Sequence, residues 1–356
     1  MPPRIVFEPV YLQFPLPLQI FLTVWFFYVG GCIGSFMNVV IFRLPRGRSV
    51  VSPPSRCPYC NSDIRWHDNL PVVGWLILRG RCRDCHAPIS ARYPLVELLM
   101  GLIFMTLAVE AFVPHGPWWL TNIEPREILS TPWPTLALAY VFYVLLICTL
   151  VCAAFMTWDG EVVPKRLFVP ALIVGTLMPL YWSQVRPWEP LLLGTGYSRR
   201  EEIERALIVG FDGALHGFVL GMLFDFLRNL RDARGESCGR ITLALTTCGW
   251  MLGSGMVLVI AAVGSLIALV WIFVTGLSWR GARSAPLVGV TTTTTLLILA
   301  GRLLTERWHY GEQMLLSLLV GVAVVMGAAA LLRWLSPPPD PLAPWTEEPA
   351  SDVIYP

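Results

Sequence analysis

The chain has 356 residues, 55% of them hydrophobic and 14% charged, with a mean hydropathy of +0.61 and a net charge of +2. A water-soluble chain carries about a quarter charged residues, so this composition excludes an ordinary soluble enzyme, a disordered scaffold and a secreted disulfide mini-protein. It points to an all-α, polytopic membrane bundle.

Apolar runs of about 20 residues, the length that crosses the hydrocarbon, fall in chain order near 18–42, 94–113, 134–156, 167–184, 204–227, 286–303 and 314–334. The stretch 241–275 is too long for one span, and Gly249, Gly253 and Gly255 stand where a short helix can turn into a second. About eight to nine spans follow. With the amino terminus outside, the inner loops 43–93, 157–166, 228–240 and 276–285 and the tail from Arg333 hold 18 of the 26 Lys and Arg. The opposite orientation inverts that bias, so the carboxy terminus is expected in the cytosol. Trp118, Trp119, Trp133, Trp182 and Trp188 flank the outer loops, either as interfacial aromatics or as ordinary loop and core residues. Gly213, Gly217 and Gly221, four apart, form a small-residue stripe that lets spans approach closely.

The first 17 residues are broken by prolines and offer no small-residue cleavage site, so no cleavable signal peptide is expected. From Ser336 onward the chain is Pro-rich and acidic and reads as a disordered cytosolic tail. No internal repeat stands out. The division is thus 1–44, a first span with its outer segment; 45–93, a cytosolic loop domain; 94–335, the helical membrane domain; and 336–356, the tail.

The loop 45–93 reads as water-soluble. It holds Cys57-Pro58-Tyr59-Cys60 and, after 21 intervening residues, Cys82-Arg83-Asp84-Cys85. Two such knuckles place four thiolates where a tetrahedral zinc can bind, and the ion replaces a core that so few residues cannot build. Disulfides are not expected in the cytosol; the alternatives are four reduced cysteines or a redox pair. His67 and His86 are near enough to be spare ligands, though surface histidines are the simpler reading. The other cysteines (Cys32, Cys148, Cys152, Cys238, Cys248) pack by default as small apolar side chains. Eight Arg against three Asp in this loop follow the topology rule or meet anionic headgroups.

The segment Gly34-Ser35-Phe36-Met37-Asn38-Val39-Val40-Ile41-Phe42-Arg43-Leu44-Pro45 resembles the signature ending the first span of type IV prepilin peptidases. The likeness continues through the first CxxC pair, Ile64-Arg65-Trp66, Asn69-Leu70-Pro71-Val72 and Leu78-Arg79-Gly80-Arg81-Cys82. It runs on to Ile89-Ser90-Ala91-Arg92-Tyr93-Pro94-Leu95-Val96-Glu97. It is strong over 18–113 and weak, by the pattern of spans, over 134–303. The resemblance implies an intramembrane aspartic peptidase of the bacterial inner membrane that removes the basic leader of pilin or pseudopilin precursors at the cytosolic face. Many members then methylate the new amino terminus with S-adenosylmethionine. The implied partners are precursor proteins and lipid, and nothing points to nucleic acid.

Such chemistry needs two carboxyls at one water, one ionised to activate it and one protonated to polarise the scissile carbonyl. Asp159, in Thr157-Trp158-Asp159-Gly160-Glu161-Val162-Val163-Pro164, matches the first, with Glu161 as an alternative. In the family the second ends a Gly-x-Gly-Asp motif, but Ser237-Cys238-Gly239-Arg240 places Ser at the first glycine and Arg240 at the aspartate. That substitution predicts a cation facing Asp159 and no proton donor. Asp225 or Glu236 would then be a displaced acid, Asp225 being otherwise a helix-end acid facing water. Alternatively the chain is an inactive relative that binds or assembles pilin-like proteins, or one that keeps only methyl transfer.

Overall fold

A computed structural model of the chain describes residues 16–112, 133–182, 185, 199–229, 240–274 and 279–305. Among them are helices α1 (Leu16–Arg43), α2 (Val73–Ile77), α3 (Arg92–Phe112), α4 (Trp133–Trp158), α5 (Val169–Tyr181), α6 (Arg199–Asn229), α7 (Arg240–Leu252), α8 (Ser254–Val274) and α9 (Trp279–Thr305). Among these residues there is no strand, only two isolated β-bridges. Four helices hold segments long and apolar enough to cross a bilayer: Ile20–Arg43, Ala137–Trp158, Ile203–Phe226 and Ser254–Val274. This is an all-helical membrane protein. The expected span 314–334, the tail, Cys238, Glu236, Trp118, Trp119 and Trp188 lie outside the described residues.

The long apolar stretch breaks where its glycines suggested. Gly253 takes φ 89°, a left-handed conformation that any Cβ would strain, and α7 ends there as α8 begins. α7 lies along α6 through the glycine stripe. A Cβ on Gly213, Gly217 or Gly221 would collide with the backbone of Gly249, Leu245 or Thr242 respectively, so no other residue allows this antiparallel approach.

The core sits between α3, α4, α7, α8 and α9, with Phe142, Tyr143, Leu146, Leu150, Met156 and Met251 among its largest enclosed side chains. Polar seams cross it: the Thr291 hydroxyl donates to the Leu150 carbonyl at 3.1 Å, and Thr294 lies 3.8 Å from the Cys248 sulfur. Cys152 and Cys248 are buried as small apolar groups; Cys32 is exposed and Cys148 half-buried.

Several contacts define one end of the bundle. Trp158 at the end of α4 meets Trp271 near the end of α8, with ring centroids 5.7 Å apart. Arg166 donates to the Leu44 carbonyl just past α1 at 2.6 Å. α5 runs beside α7, with Gly175 against Met251 and Trp250 and the Trp250 indole N–H bonded to the Thr176 hydroxyl at 3.1 Å. The cysteine loop joins α1 and α3 at this same end.

Candidate metal centre and candidate active site

The loop between α1 and α3 builds its two knuckles identically, 25 residues apart. In the first, the Cys57 N–H donates to Ser62 O, the Asn61 N–H to Cys57 O and the Ile64 N–H to Ser55 O. In the second, the Cys82 N–H donates to Ala87 O, the His86 N–H to Cys82 O and the Ile89 N–H to Gly80 O. The β-bridges Arg56–Asp63 and Arg81–Pro88 repeat at the same offset. Asn61 and His86 take φ 56° and 59°, turning each chain back over its cysteines; Asn and His are among the non-glycine residues that enter this region most readily. A short internal repeat is therefore present after all, carried by Arg56/Arg81, Cys57/Cys82, Cys60/Cys85 and Ile64/Ile89.

The four sulfurs lie within 4.8 Å of one another, with Cys57 to Cys85 at 3.7 Å and Cys60 to Cys82 at 4.0 Å. Tetrahedral Zn–S bonds of about 2.3 Å require sulfurs about 3.8 Å apart, so the donor set fits zinc in number, chemistry and spacing. Neither His67 nor His86 joins the group; His67 stands 3.7 Å from Asp68. The Ser62 hydroxyl, 3.0 Å away, and a backbone hydrogen bond at Ser62 hold the Cys60 thiol down at about 6, while the Cys85 thiol, packed among the other three, is pushed up to about 12. Salt bridges clamp the knuckles: Arg83 grips Asp68 through both carboxylate oxygens, and Arg65 reaches Asp84 at 3.3 Å. Arg83 is the main cause that Asp68 sits below its ordinary carboxylate value.

Asp159 caps the carboxy end of α4. The Gly160 N–H donates to Thr157 O and the Glu161 N–H to Met156 O, with Gly160 at φ 82°, the hydrogen-bond pattern of a Schellman motif. The Asp159 Oδ1 accepts from Arg92 Nη1 at 2.6 Å, and the guanidinium also stands 5.3 Å from the Phe155 ring centre. The cation expected at Asp159 was Arg240; the side chain found bonded to it is Arg92, from the first turn of α3. Glu161 pairs with Arg46 at 2.5 Å. Arg240 opens α7 and is buried. Asp225 is also buried rather than facing water, its Oδ2 accepting from the Thr242 hydroxyl at 2.7 Å and from the Thr242 N–H at 3.2 Å. Its carboxylate thus lies against the first turn of the helix that follows the altered motif.

The bacterial peptidase A24 N-terminal domain matches residues 28–111, which span most of α1, the cysteine loop and α3. The chain is thus similar to type IV prepilin peptidases, through the family model over residues 28–111 and through the relatives that follow. A prepilin leader peptidase/N-methyltransferase of Myxococcus xanthus is 39% identical over 153 residues, 43% of this chain and 39% of that protein. A type 4 prepilin-like proteins leader peptide-processing enzyme of Escherichia coli is 44% identical over 130 residues, 31% of this chain and 46% of that one. A prepilin leader peptidase/N-methyltransferase of Dichelobacter nodosus is 26% identical over 298 residues, 76% of this chain and 87% of its own length. The chain spans about half the length of the first two relatives it matches. No solved structure matches it.

Within the family's N-terminal region, Arg92 and Glu97 carry the resemblance in sequence without a role being legible for either. The signal was available for Glu97, since an ionisable residue inside an apolar span is unusual and calls for a partner. For Arg92 the signal is its partner, 67 positions away, which only the packing of α3 against α4 brings near.

Proposed function

We propose that this chain processes type IV prepilin-like precursors at the inner membrane of a bacterium, on the face that carries the cysteine loop. That face is the cytosolic one by its excess of Lys and Arg, which puts the amino terminus outside. Residues 45–93 act as a zinc-held unit, with Cys57, Cys60, Cys82 and Cys85 as ligands, between the first span and the membrane domain 94–335. The observation that carries the reading is the union of the four-cysteine unit and Asp159 at one end of the bundle, joined through Arg92 in the family's own N-terminal region.

Asp159 supplies one carboxyl, and Asp225, near the altered motif, supplies the second. S-adenosylmethionine, when bound, offers a methyl group on a positively charged sulfur to the newly freed amine. A second reading is favoured by the arginine at position 240 and by the tie between Asp159 and Arg92: a protein that captures pilin-like helices without cutting them.

The full chain in nanodiscs, incubated with a membrane-inserted prepilin and followed by mass spectrometry, decides between them. Leader removal that is lost in Asp159→Asn and in Asp225→Asn supports the peptidase. Stable binding with no cleavage by the wild type supports the capture protein. Cleavage that survives both Asp159→Asn and Glu161→Gln removes the assignment of the first carboxyl.

A further inference from the structure

Between its two knuckles the cysteine loop reaches back along the helices it joins. Pro71 stands against Gly31 of α1, where a built Cβ would come within 2.9 Å of the Pro71 Cβ. Gly31 lies twelve residues before Arg43, the end of α1, which at 1.5 Å per residue is about 18 Å along the helix. It falls in the middle of the apolar segment Ile20–Arg43. Val72 is tied to the other helix, its N–H donating to Glu97 Oε2 at 2.7 Å. Glu97 sits on α3 between Leu95 and Leu98, which with Leu99 and Leu102 form an exposed apolar stripe at helical spacing. The turn is therefore held at the depth of the apolar helix faces, below the level of the helix ends.

What the turn presents at that depth is apolar. Val73, Leu76 and Ile77 are 49%, 60% and 64% exposed, and their i, i+3, i+4 spacing in α2 puts them on one face. The rest of α2 is committed to the protein. Gly74 is buried, where a Cβ would collide with Asp68 O, and the Trp75 indole N–H donates to Ile89 O at 3.0 Å. Backbone in hydrocarbon must be satisfied internally, and the N–H groups of residues 72–74, 76 and 78–81 all donate to oxygens of the chain. Val72 takes φ 62°, a conformation costly for a β-branched residue, and this strained turn aims α2. Arg79 and Arg81 follow directly and are exposed. Neither pairs with an acid among the described residues, whereas Arg56, Arg65 and Arg83 of the same loop each do. An apolar face followed by unpaired guanidiniums matches the boundary between acyl chains and anionic headgroups.

We propose that α2 is a re-entrant membrane element. Its Val73, Leu76 and Ile77 face lies in the acyl region of the leaflet nearest the cysteine loop, with Arg79 and Arg81 at the phosphates of anionic headgroups. The loop 45–93, read from its sequence as water-soluble, thus keeps one segment in lipid and anchors the four-cysteine unit on the bilayer.

Photolipid labelling of the full chain in nanodiscs tests this without any precursor protein. Phosphatidylglycerol or phosphatidylcholine carrying a diazirine in its acyl chain is activated by light, and the adducts are mapped by peptide mass spectrometry. Residues 73–77 should be labelled as strongly as the exposed Ile20, Phe21 and Val24 of α1. They should exceed residues 48–53 of the same loop by about fivefold or more. Labelling of 73–77 no higher than that of 48–53 overturns the proposal, whether water or a protein partner meets the face. Leu76→Ser/Ile77→Ser should cut adducts at 73–77 by about threefold or more and leave those on α1 unchanged; undiminished labelling also overturns it. Should that variant fail to fold, Ile77→Ser alone is read in the same way. The wild type should take about threefold more label from phosphatidylglycerol than from phosphatidylcholine at 73–77, and Arg79→Gln/Arg81→Gln should bring the two within about 1.5-fold. No preference in the wild type, or one that survives the double variant, overturns the headgroup contact.

Discussion

Arg92 and Asp159 each carry a charge at the helix end where the backbone dipole opposes it. Asp159 sits at the carboxy end of α4, where carbonyls concentrate negative potential, and Arg92 at the amino end of α3, where N–H groups concentrate positive potential. Their 2.6 Å bond compensates both misplacements. Both side chains are partly exposed, which limits the pair to about 1 kcal/mol of coupling. Arg92→Gln alone should therefore destabilise more than the Arg92→Gln/Asp159→Asn double variant, since removing both leaves no opposed charge; a double-mutant cycle by thermal unfolding measures the difference, and additive effects would remove the pairing argument. Asp68 makes a sharper pH statement. Free in the unfolded chain it titrates near its ordinary 3.8, while Arg83 holds it lower in the folded one. Its stabilisation is fully present above the unfolded value and is lost as pH falls below it. The stability gap between wild type and Asp68→Asn should thus be constant near neutrality and shrink steadily below about pH 4.

Among the elements, the cysteine loop was the most legible in sequence, because metal ligands must be Cys or His at short spacings. The two CxxC pairs name all four residues that the fold brings together. The 25-residue repeat behind them was harder to see, since it lives in backbone hydrogen bonds that leave only four identities in register. Metal analysis of Cys57→Ser/Cys85→Ser should show loss of the stoichiometric zinc expected in the wild type, together with increased protease sensitivity of 45–93; full zinc retention would exclude these sulfurs as ligands. The glycine stripe of α6 was equally readable, being a period-four pattern of one residue type. Gly217→Leu forces a side chain into the Leu245 backbone and should cost about 1–3 kcal/mol by overpacking, or separate α6 from α7, as read by thermal unfolding. One period before Gly213 the stripe gives way to Val209, whose side chain stands beside Gly253, where α7 turns into α8. By contrast, the partner of Asp159 was not legible, because helix packing rather than local pattern selects it, and Arg240 was the nearer candidate only by motif position.

At the scale of the whole molecule, packing gathers the basic loop and several helix ends at one end of the bundle. The ends of α1 and α4, the starts of α3 and α5, and the cysteine loop meet at one face, where Arg46 pairs with Glu161 and Arg166 bonds the Leu44 carbonyl. That face collects most of the 18 inner Lys and Arg counted from sequence, and moving such a set across a bilayer is opposed by the same bias that sets topology. A probe on it should therefore be reachable only from the cytosol. Val51 is 84% exposed in the loop after α1, so Val51→Cys adds a thiol at the surface without removing a packed side chain. A membrane-impermeant maleimide should give no labelling above wild type in intact cells with a permeable outer envelope. In inverted inner-membrane vesicles it should label one additional thiol per chain. Labelling of Val51→Cys in intact cells would turn the bundle over, and Asp159 with it, leaving the candidate acid site on the side opposite to the one where precursor leaders reside.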